Sequence, residues 1–245
     1  MKQTLKFLVA SVLLATSVWS QAQSLPEKKI EAEALYRNGQ YANALMIYEE
    51  DLKNHPNDPY LYYNIGNCYF KMGSKGLAAA NYYRAFKLLP RNNDIRHNLS
   101  LALASGGENL VPPGVPMVLH KAFFGLSLAQ LKGLACLLGW VVCFLAGLWL
   151  LTRKGGKLTA VCAGILLLCA GWFYLRHSWE NQPLAVVASP VAEMRSGPGT
   201  NFPVSASLQQ GHLVELADHK DNWQQVIVKS QGIKGWIENS ALERI

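Results

Sequence analysis

Residues 133–175 read GLACLLGWVVCFLAGLWLLTRKGGKLTAVCAGILLLCAGWFYL, and this stretch decides the architecture. Gly133 to Leu151 is nineteen residues without a formal charge. As a helix they extend roughly 28 Å, about the thickness of a bilayer's hydrocarbon core. Residues 158–175 form a second uncharged run of eighteen. The connector, residues 152–157 (TRKGGK), only has room to reverse the chain, so the pattern predicts two antiparallel transmembrane helices, 133–151 and 158–175. Arg153, Lys154 and Lys157 crowd that connector. By the positive-inside tendency the loop is expected to be cytoplasmic, with both flanking regions on the far side of the membrane.

The charge balance locates the rest. Half of the 245 residues are hydrophobic and only 16% are charged, a surplus of apolar content that the membrane segments explain. The formal charge of +7 does not mark a nucleic-acid surface. Residues 23–110 carry ten basic and nine acidic residues, and residues 183–245 carry five and six, so neither flank is a basic patch.

The chain begins MKQTLKFLVASVLLATSVWSQAQS. Lys2 and Lys6 precede an apolar core from Phe7 to Val18, and Ser20-Gln21-Ala22 has the small-x-small form of a cleavage site. Residues 1–22 are therefore expected to be a signal peptide cut after Ala22, the alternative being an uncleaved anchor. Either one exports the chain beyond it.

Four of five cysteines fall in the hairpin, at 136, 143, 162 and 169, and Cys68 lies upstream. The i, i+7 spacing invites a metal or redox reading, but cysteine also packs as a small apolar residue. No metal is expected. Ala135, Gly139, Cys143 and Gly147 recur every four residues, a small-residue stripe expected to pack against a helix, either the second span through Gly164 or Gly171 or one from another chain.

Upstream, an offset of 34 residues pairs Gly39 with Gly73, Ala44 with Ala78, Tyr48 with Tyr82 and Pro56 with Pro90. A helical repeat of that length resembles tetratricopeptide units. In the second unit, Tyr62, Ile65, Gly66, Tyr69, Ala78, Tyr82, Ala85 and Pro90 fall at the family's aromatic, aliphatic, small and proline positions. The resemblance implies an α-helical solenoid over 25–105, with units at 25–58 and 59–92 and a cap helix at 93–105. The first unit departs from the pattern, having Ala32 for the glycine, Leu35 for an aromatic and Asp51 for the last small residue, so its first helix is expected to pack loosely or start late. The family's register implies a protein-binding groove lined by Tyr36, Tyr60, Tyr63, Asn67, Phe70, Lys71 and His97, together with Lys29 and Arg37. The alternative is that some of these tyrosines pack against the cap. The family's carboxylate clamp is only partly matched: Lys29 and Asn64 fit, whereas Glu33, Asp94 and Asn98 do not.

Residues 106–132 open with a turn-rich linker, GGENLVPPGVP, that cannot be helical. MVLHKAFFGLSLAQLK then returns to helical spacing, either as a helix lying in the membrane interface or as an extension of the first span. Trp172, Tyr174 and Trp179 are expected to form an interfacial aromatic belt.

Residues 183–245 change period to short β-rich runs broken by turns, which predicts a small all-β barrel. The loop Arg195-Ser196-Gly197-Pro198-Gly199, followed by Phe202, Gly211, Trp223, Gly235, Trp236 and Ile237, resembles bacterial SH3-like domains. That resemblance implies a ligand surface at Arg195, Phe202, Trp223 and Trp236, with Trp236 packed beneath the loop; the alternative places both tryptophans in the core.

No phosphate-binding loop, metal-binding histidine pair or Ser/His/Asp set occurs, and the six histidines are scattered, so neither catalysis nor a cofactor is expected. The order of parts, with YYNIGNCYFKMG, YYRAFKLLPRNNDIRHNL and RSGPG in succession, resembles the E-type proteins of the bacterial aerotolerance (Bat) operons. This implies an inner-membrane protein with its tetratricopeptide and SH3-like domains in the periplasm, working with von Willebrand A-domain membrane proteins and a MoxR-type ATPase in stress tolerance. The function expected first is a non-enzymatic adaptor. The alternatives are a peptidoglycan-binding wall sensor or anchor, and a chaperone for exported clients.

Overall fold

A computed structural model describes residues 25–112 and 114–245; the leader and the expected cleavage at Ala22 lie outside the described residues. Five helices open the chain: α1 (Leu25–Arg37), α2 (Tyr41–Asn54), α3 (Pro59–Lys71), α4 (Lys75–Leu88) and α5 (Asn93–Ala104). Each packs on the next. The starts of α3 and α5 are written in the sequence. Asp58 accepts from the Tyr60 amide, with Pro59 in the first turn, and Asn92 accepts from the Asp94 and Ile95 amides. The 34-residue offset recurs in the backbone. Gly39 and Gly73 take left-handed φ values of 77° and 83°, and the following amides of Gln40 and Ser74 reach back to the carbonyls of Leu35 and Tyr69.

The first hairpin is not loose. Helix α1 starts by Leu25, and Ala32, at the place expected of a glycine, is fully buried with Ala44, Tyr48, Leu61, Ile65 and Cys68. An alanine is small enough for the approach made there. Burial raises the Cys68 thiol to about 11, with nearby Glu49 adding to the effect, so it stays protonated.

Helix α6 (Met117–Phe123) follows the linker and stops at Phe124. It is separate from the span, because Ser127 and Gln130 close a capping box that starts α7 (Leu128–Thr152) anew. Arg153 at φ 56° and Gly155 at φ 85° turn the chain into α8 (Gly156–Glu180). Both helices are 25 residues, longer than the uncharged runs at each end, and both are long and apolar enough to cross a membrane. The small-residue stripe does not form their seam. Ala135 and Gly139 are half-buried, Cys143 and Gly147 are exposed, and a Cβ on Gly139, Gly147, Gly164 or Gly171 would meet nothing within 4 Å. A four-residue period gains about 40° per step on a helix of 3.6 residues per turn, so the stripe starts near the seam and rotates off it.

The expected aromatic belt is largely built into the protein. Trp172 Nε1 donates to the Phe123 carbonyl (3.2 Å), and Trp179 stacks on Tyr83 of α4 at 5.9 Å and meets Phe124 edge-on at 4.7 Å; Tyr174 alone stays outside, 70% exposed. Beneath these rings lies Arg176, fully buried and paired with Glu180 at 2.5 Å. Its Nε and Nη1 have no hydrogen-bond partner; the guanidinium instead lies 4.3 Å from the Phe124 ring centre, with Phe123 and Trp179 close by. Cation–π contact takes the place of acceptors there. Lys87 Nζ of α4 reaches the Glu180 carbonyl (3.1 Å), tying the end of α8 to the helical layer.

The C-terminal part is one antiparallel sheet of β1 (Leu184–Val187), β2 (Val191–Arg195), β3 (Val204–Gln209), β4 (Leu213–Lys220), β5 (Trp223–Val228), β6 (Ile233–Glu238) and β7 (Leu242–Arg244), in the order β3-β2-β6-β5-β4-β1-β7. Period-2 alternation turns Ala185, Met194, Val214, Val226, Val228 and Ile237 into its core. Strand β1 is buried on both faces. Ala185 and Val187 face the sheet's core, while Val186 joins the core of α4 and α5. Arg84 pairs with Glu243 at 2.5 Å, Gln210 accepts from the Lys75 amide (3.0 Å), and Ser230 donates to Glu108 (2.6 Å). At Gly76 the α4 backbone passes so close that a Cβ would stand 2.1 Å from the Val187 carbonyl.

With so little room between α4 and β1, Gly76→Val should force the strand off the helix at a cost of about 1–3 kcal/mol, raising hydrogen exchange in β1 and β7 while sparing β5 and β6; unchanged exchange in β1 would contradict the docking. A pH dependence is expected from His120 of α6, which is buried and accepts from Arg96 Nη2 at Nδ1 (3.1 Å). Burial first, then Arg96 and Arg176, lower its pKa from 6.5 to about 4, against a backbone hydrogen bond with Leu110. The unfolded chain takes up a proton below about pH 6.5 that the folded form refuses. Neutral His120 therefore contributes stability above that pH, and the contribution is lost as pH falls toward 4. Protection factors of residues 117–127 should drop across that window, and His120→Phe should flatten the dependence.

Candidate functional sites

Two concave surfaces gather the residues that sequence reasoning selected. The first is a hollow of about 190 Å³ on the helical layer. Tyr36, Asn67, Phe70 and Lys71 line it as expected, with Tyr82, Asn98 and Leu101 added. Asn67 is its hub. Its Oδ1 accepts from Tyr82 OH (2.8 Å) and Asn98 Nδ2 (3.1 Å), and Asn98 Nδ2 also reaches Tyr63 OH (3.2 Å). Tyr63 is thereby held against the cap helix instead of lining the hollow. Tyr60 is 49% exposed and His97 is exposed, both away from it. Burial raises the Tyr36 and Tyr82 hydroxyls above their ordinary value, so both remain neutral hydrogen-bonding groups. Lys71 supplies an exposed cation at the rim, and the surface suits an extended segment with a carbonyl-rich or acidic group beside an apolar one.

The second surface is at one end of the sheet. The Asp221-Asn222 turn, with Asp221 at φ 53°, joins β4 to β5 and starts β5 on Trp223. Trp223 forms a wall common to two adjoining hollows of about 300 and 570 Å³, which also share Glu238 and Ser240. Glu193 and Arg195 border the smaller, and Gly199, Thr200 and Asn201 border the larger. An aromatic face ringed by amides, hydroxyls and carboxylates is suited to a polar chain with an apolar side, such as a glycan or peptide.

Arg195 is a staple of the RSGPG loop. Its Nη1 donates to the carbonyls of Thr200 (3.0 Å) and Phe202 (2.8 Å), and its Nη2 pairs with Glu193 at 2.5 Å. Phe202, 37% exposed, lies over Gly197, where a Cβ would come within 2.5 Å of its ring. Trp236 is neither a core residue nor a wall of either hollow. It is half-buried on the outer face of β6, in register with Arg195 and Gln225, because Gly235 and Ile237 take the inward positions on either side.

Residues 188–243 match the bacterial SH3 domain family. The match covers the loop and strands β2 to β6 and marks this sheet as a protein-binding or peptidoglycan-binding module. No curated protein matches the chain. Among the residues missed by sequence reasoning are Asn98, Glu238 and Ser240, which stand on walls between elements where no single-element periodicity identifies them. Among the described residues no group of three or more His, Cys, Asp and Glu side chains is placed to hold a metal ion.

Arg195→Ala should free residues 197–203, giving new proteolytic cleavage there and a loss of about 1–3 kcal/mol from the sheet. Trp223→Ala should change stability by less than about 1 kcal/mol, since its ring covers a surface hollow and not the core. Comparing denaturation midpoints and cleavage sites of the two variants checks both.

Proposed function

We propose that the chain is a non-enzymatic, membrane-anchored adaptor whose α1–α5 layer is a tetratricopeptide solenoid and whose two hollows bind different ligands. The observation that carries this is the docking of the SH3-like sheet on α4, with the end of α8 packed on the same helix. Binding surfaces held rigidly to one another and to a membrane exit suit assembly of a complex; converging acid, base and nucleophilic groups, which an enzyme would require, were not found in the sequence. The order of parts resembling aerotolerance-operon proteins supports an inner-membrane location with both modules in the periplasm. Von Willebrand A-domain membrane proteins and a MoxR-type ATPase are then the partners to seek. The exported setting common for bacterial SH3 domains favours the same orientation.

A second reading, peptidoglycan binding, is favoured by Trp223 as a shared wall between two polar hollows. The detergent-solubilised full chain separates the two. For an adaptor, affinity capture should recover other membrane proteins, and Phe70→Ala with Lys71→Ala should reduce that recovery roughly tenfold or more, as loss of an interface anchor does. Retention on purified sacculi that Trp223→Ala abolishes would support the wall reading; capture of nothing by either route would sink both. Reporter fusions after Leu110, at Lys154 and at Ile245 should report periplasm, cytoplasm and periplasm, and the reverse pattern would remove the periplasmic setting.

A further inference from the structure

A third concavity, of about 600 Å³, lies between α6, the turn after it and the exit of α8. Val115, Leu119, Ala122, Phe123, Trp172 and Trp179 form most of its wall. Two of the wall's polar groups are already engaged: Trp172 Nε1 donates to the Phe123 carbonyl, and His120 is turned to Arg96. The interior is therefore carbon-faced. The apolar surface continues outward over α6, where Met117, Val118 and Leu119 are 51%, 76% and 62% exposed, and on to the exposed flanks of α7 and α8. Water does not stabilise an apolar surface of that extent, whereas a bilayer's headgroup boundary does.

Charge says which component of the bilayer fits. From Asn109 to Trp179 the sequence has no Asp or Glu, so no carboxylate on α6, α7 or the lining part of α8 opposes an anion there. Arg91 is held at the α6–α7 turn by donation from its Nε to the Gly125 carbonyl. The acidic Glu180 is already paired with Arg176. We propose that this groove binds an anionic phospholipid, with one acyl chain between Leu119, Ala122 and Trp179 and the phosphate at the Arg91 guanidinium. The site would fix α6 to the leaflet and so set the height of the helical layer above the membrane. This rests on α7 and α8 crossing the membrane.

The test uses the full-length protein in mild detergent, with the other five of its seven tryptophans changed to phenylalanine so that only Trp172 and Trp179 report. Phosphatidylglycerol brominated on its acyl chains should quench their emission saturably, and phosphatidylcholine with the same chains should require roughly tenfold more, the factor expected for about 1.4 kcal/mol of headgroup attraction. Ala122→Phe, and independently Leu119→Phe at an exposed position, should weaken phosphatidylglycerol binding roughly tenfold by occupying the groove. Arg91→Gln should erase the headgroup preference and leave quenching. Non-saturating quenching that neither filling variant alters would overturn the proposal in favour of bulk lipid contact. Native mass spectrometry showing a dimer without lipid would overturn it in favour of a second copy in the groove. Resistance to carbonate extraction is scored on the same variants: membrane loss sinks the spanning reading, and retention without quenching sinks the groove alone.

Discussion

Helix α4 is enclosed on every side, and the rest of the structure depends on that enclosure. Gly76, Ala78, Ala79, Ala80, Asn81, Tyr82, Tyr83, Ala85 and Phe86 are all buried, so hardly a face of this helix remains for solvent. A helix in that position must be thin where backbones approach and bulky where gaps remain. The run of alanines meets the first demand and the aromatics the second. Tyr82 faces α3, with its hydroxyl on Asn67, while Tyr83 faces the end of α8 and stacks on Trp179. One residue's step along the helix thus separates contact with α3 from contact with the end of the long apolar hairpin.

The same enclosure removes the independence of the C-terminal sheet. A strand with one face in the sheet's own core and the other against α4 carries side chains of equal polarity on both faces, which is how LAVV at 184–187 reads. Fixing the sheet to the helices also orders the linker ends around Ser105 and Glu108, which meet Gln210 and Ser230. Two modules joined by a flexible tether sample many separations. Here the helical hollow and the Trp223 corner keep one separation, so a partner engaging both gains effective concentration without further ordering.

Much of this was legible in the sequence because the features are local or periodic. Uncharged runs gave the two long helices, the 34-residue offset gave the repeated hairpins, and the RSGPG loop with its β-rich surroundings pointed to the sheet that the SH3 family match covers. The features that stayed hidden depend on rotation and contact between elements. The stripe from Ala135 to Gly147 is regular in sequence yet leaves the seam because its period is not that of the helix. Trp236 was expected on the ligand surface beneath the loop, with the core as the alternative, but it stands on the outer face of β6 because Gly235 and Ile237 occupy the inward positions. The docking left two signals, the apolar continuity of β1 and the alanine- and aromatic-rich run of α4, and both also fit other arrangements. Only the contact between them distinguishes the pair as partners.

Arg176 shows how the long apolar hairpin is joined to this body. An unpaired arginine at a span's end would extend its side chain toward the headgroups. Here it turns inward, pairs with Glu180 one turn on and is roofed by Phe123, Phe124 and Trp179. The pair itself lies within α8, so what holds α8 to α6 and α4 is the roof of Phe123 and Phe124 over the guanidinium, Trp179 on Tyr83 and the Lys87 donation to the Glu180 carbonyl. The last turn of α8 is accordingly part of the helical layer, although its sequence continues the span. Through Trp179 on Tyr83 the exit of α8 meets α4 directly, and the next residue of α4, Tyr82, borders the helical hollow, so that hollow and the end of the long helix share one rigid element.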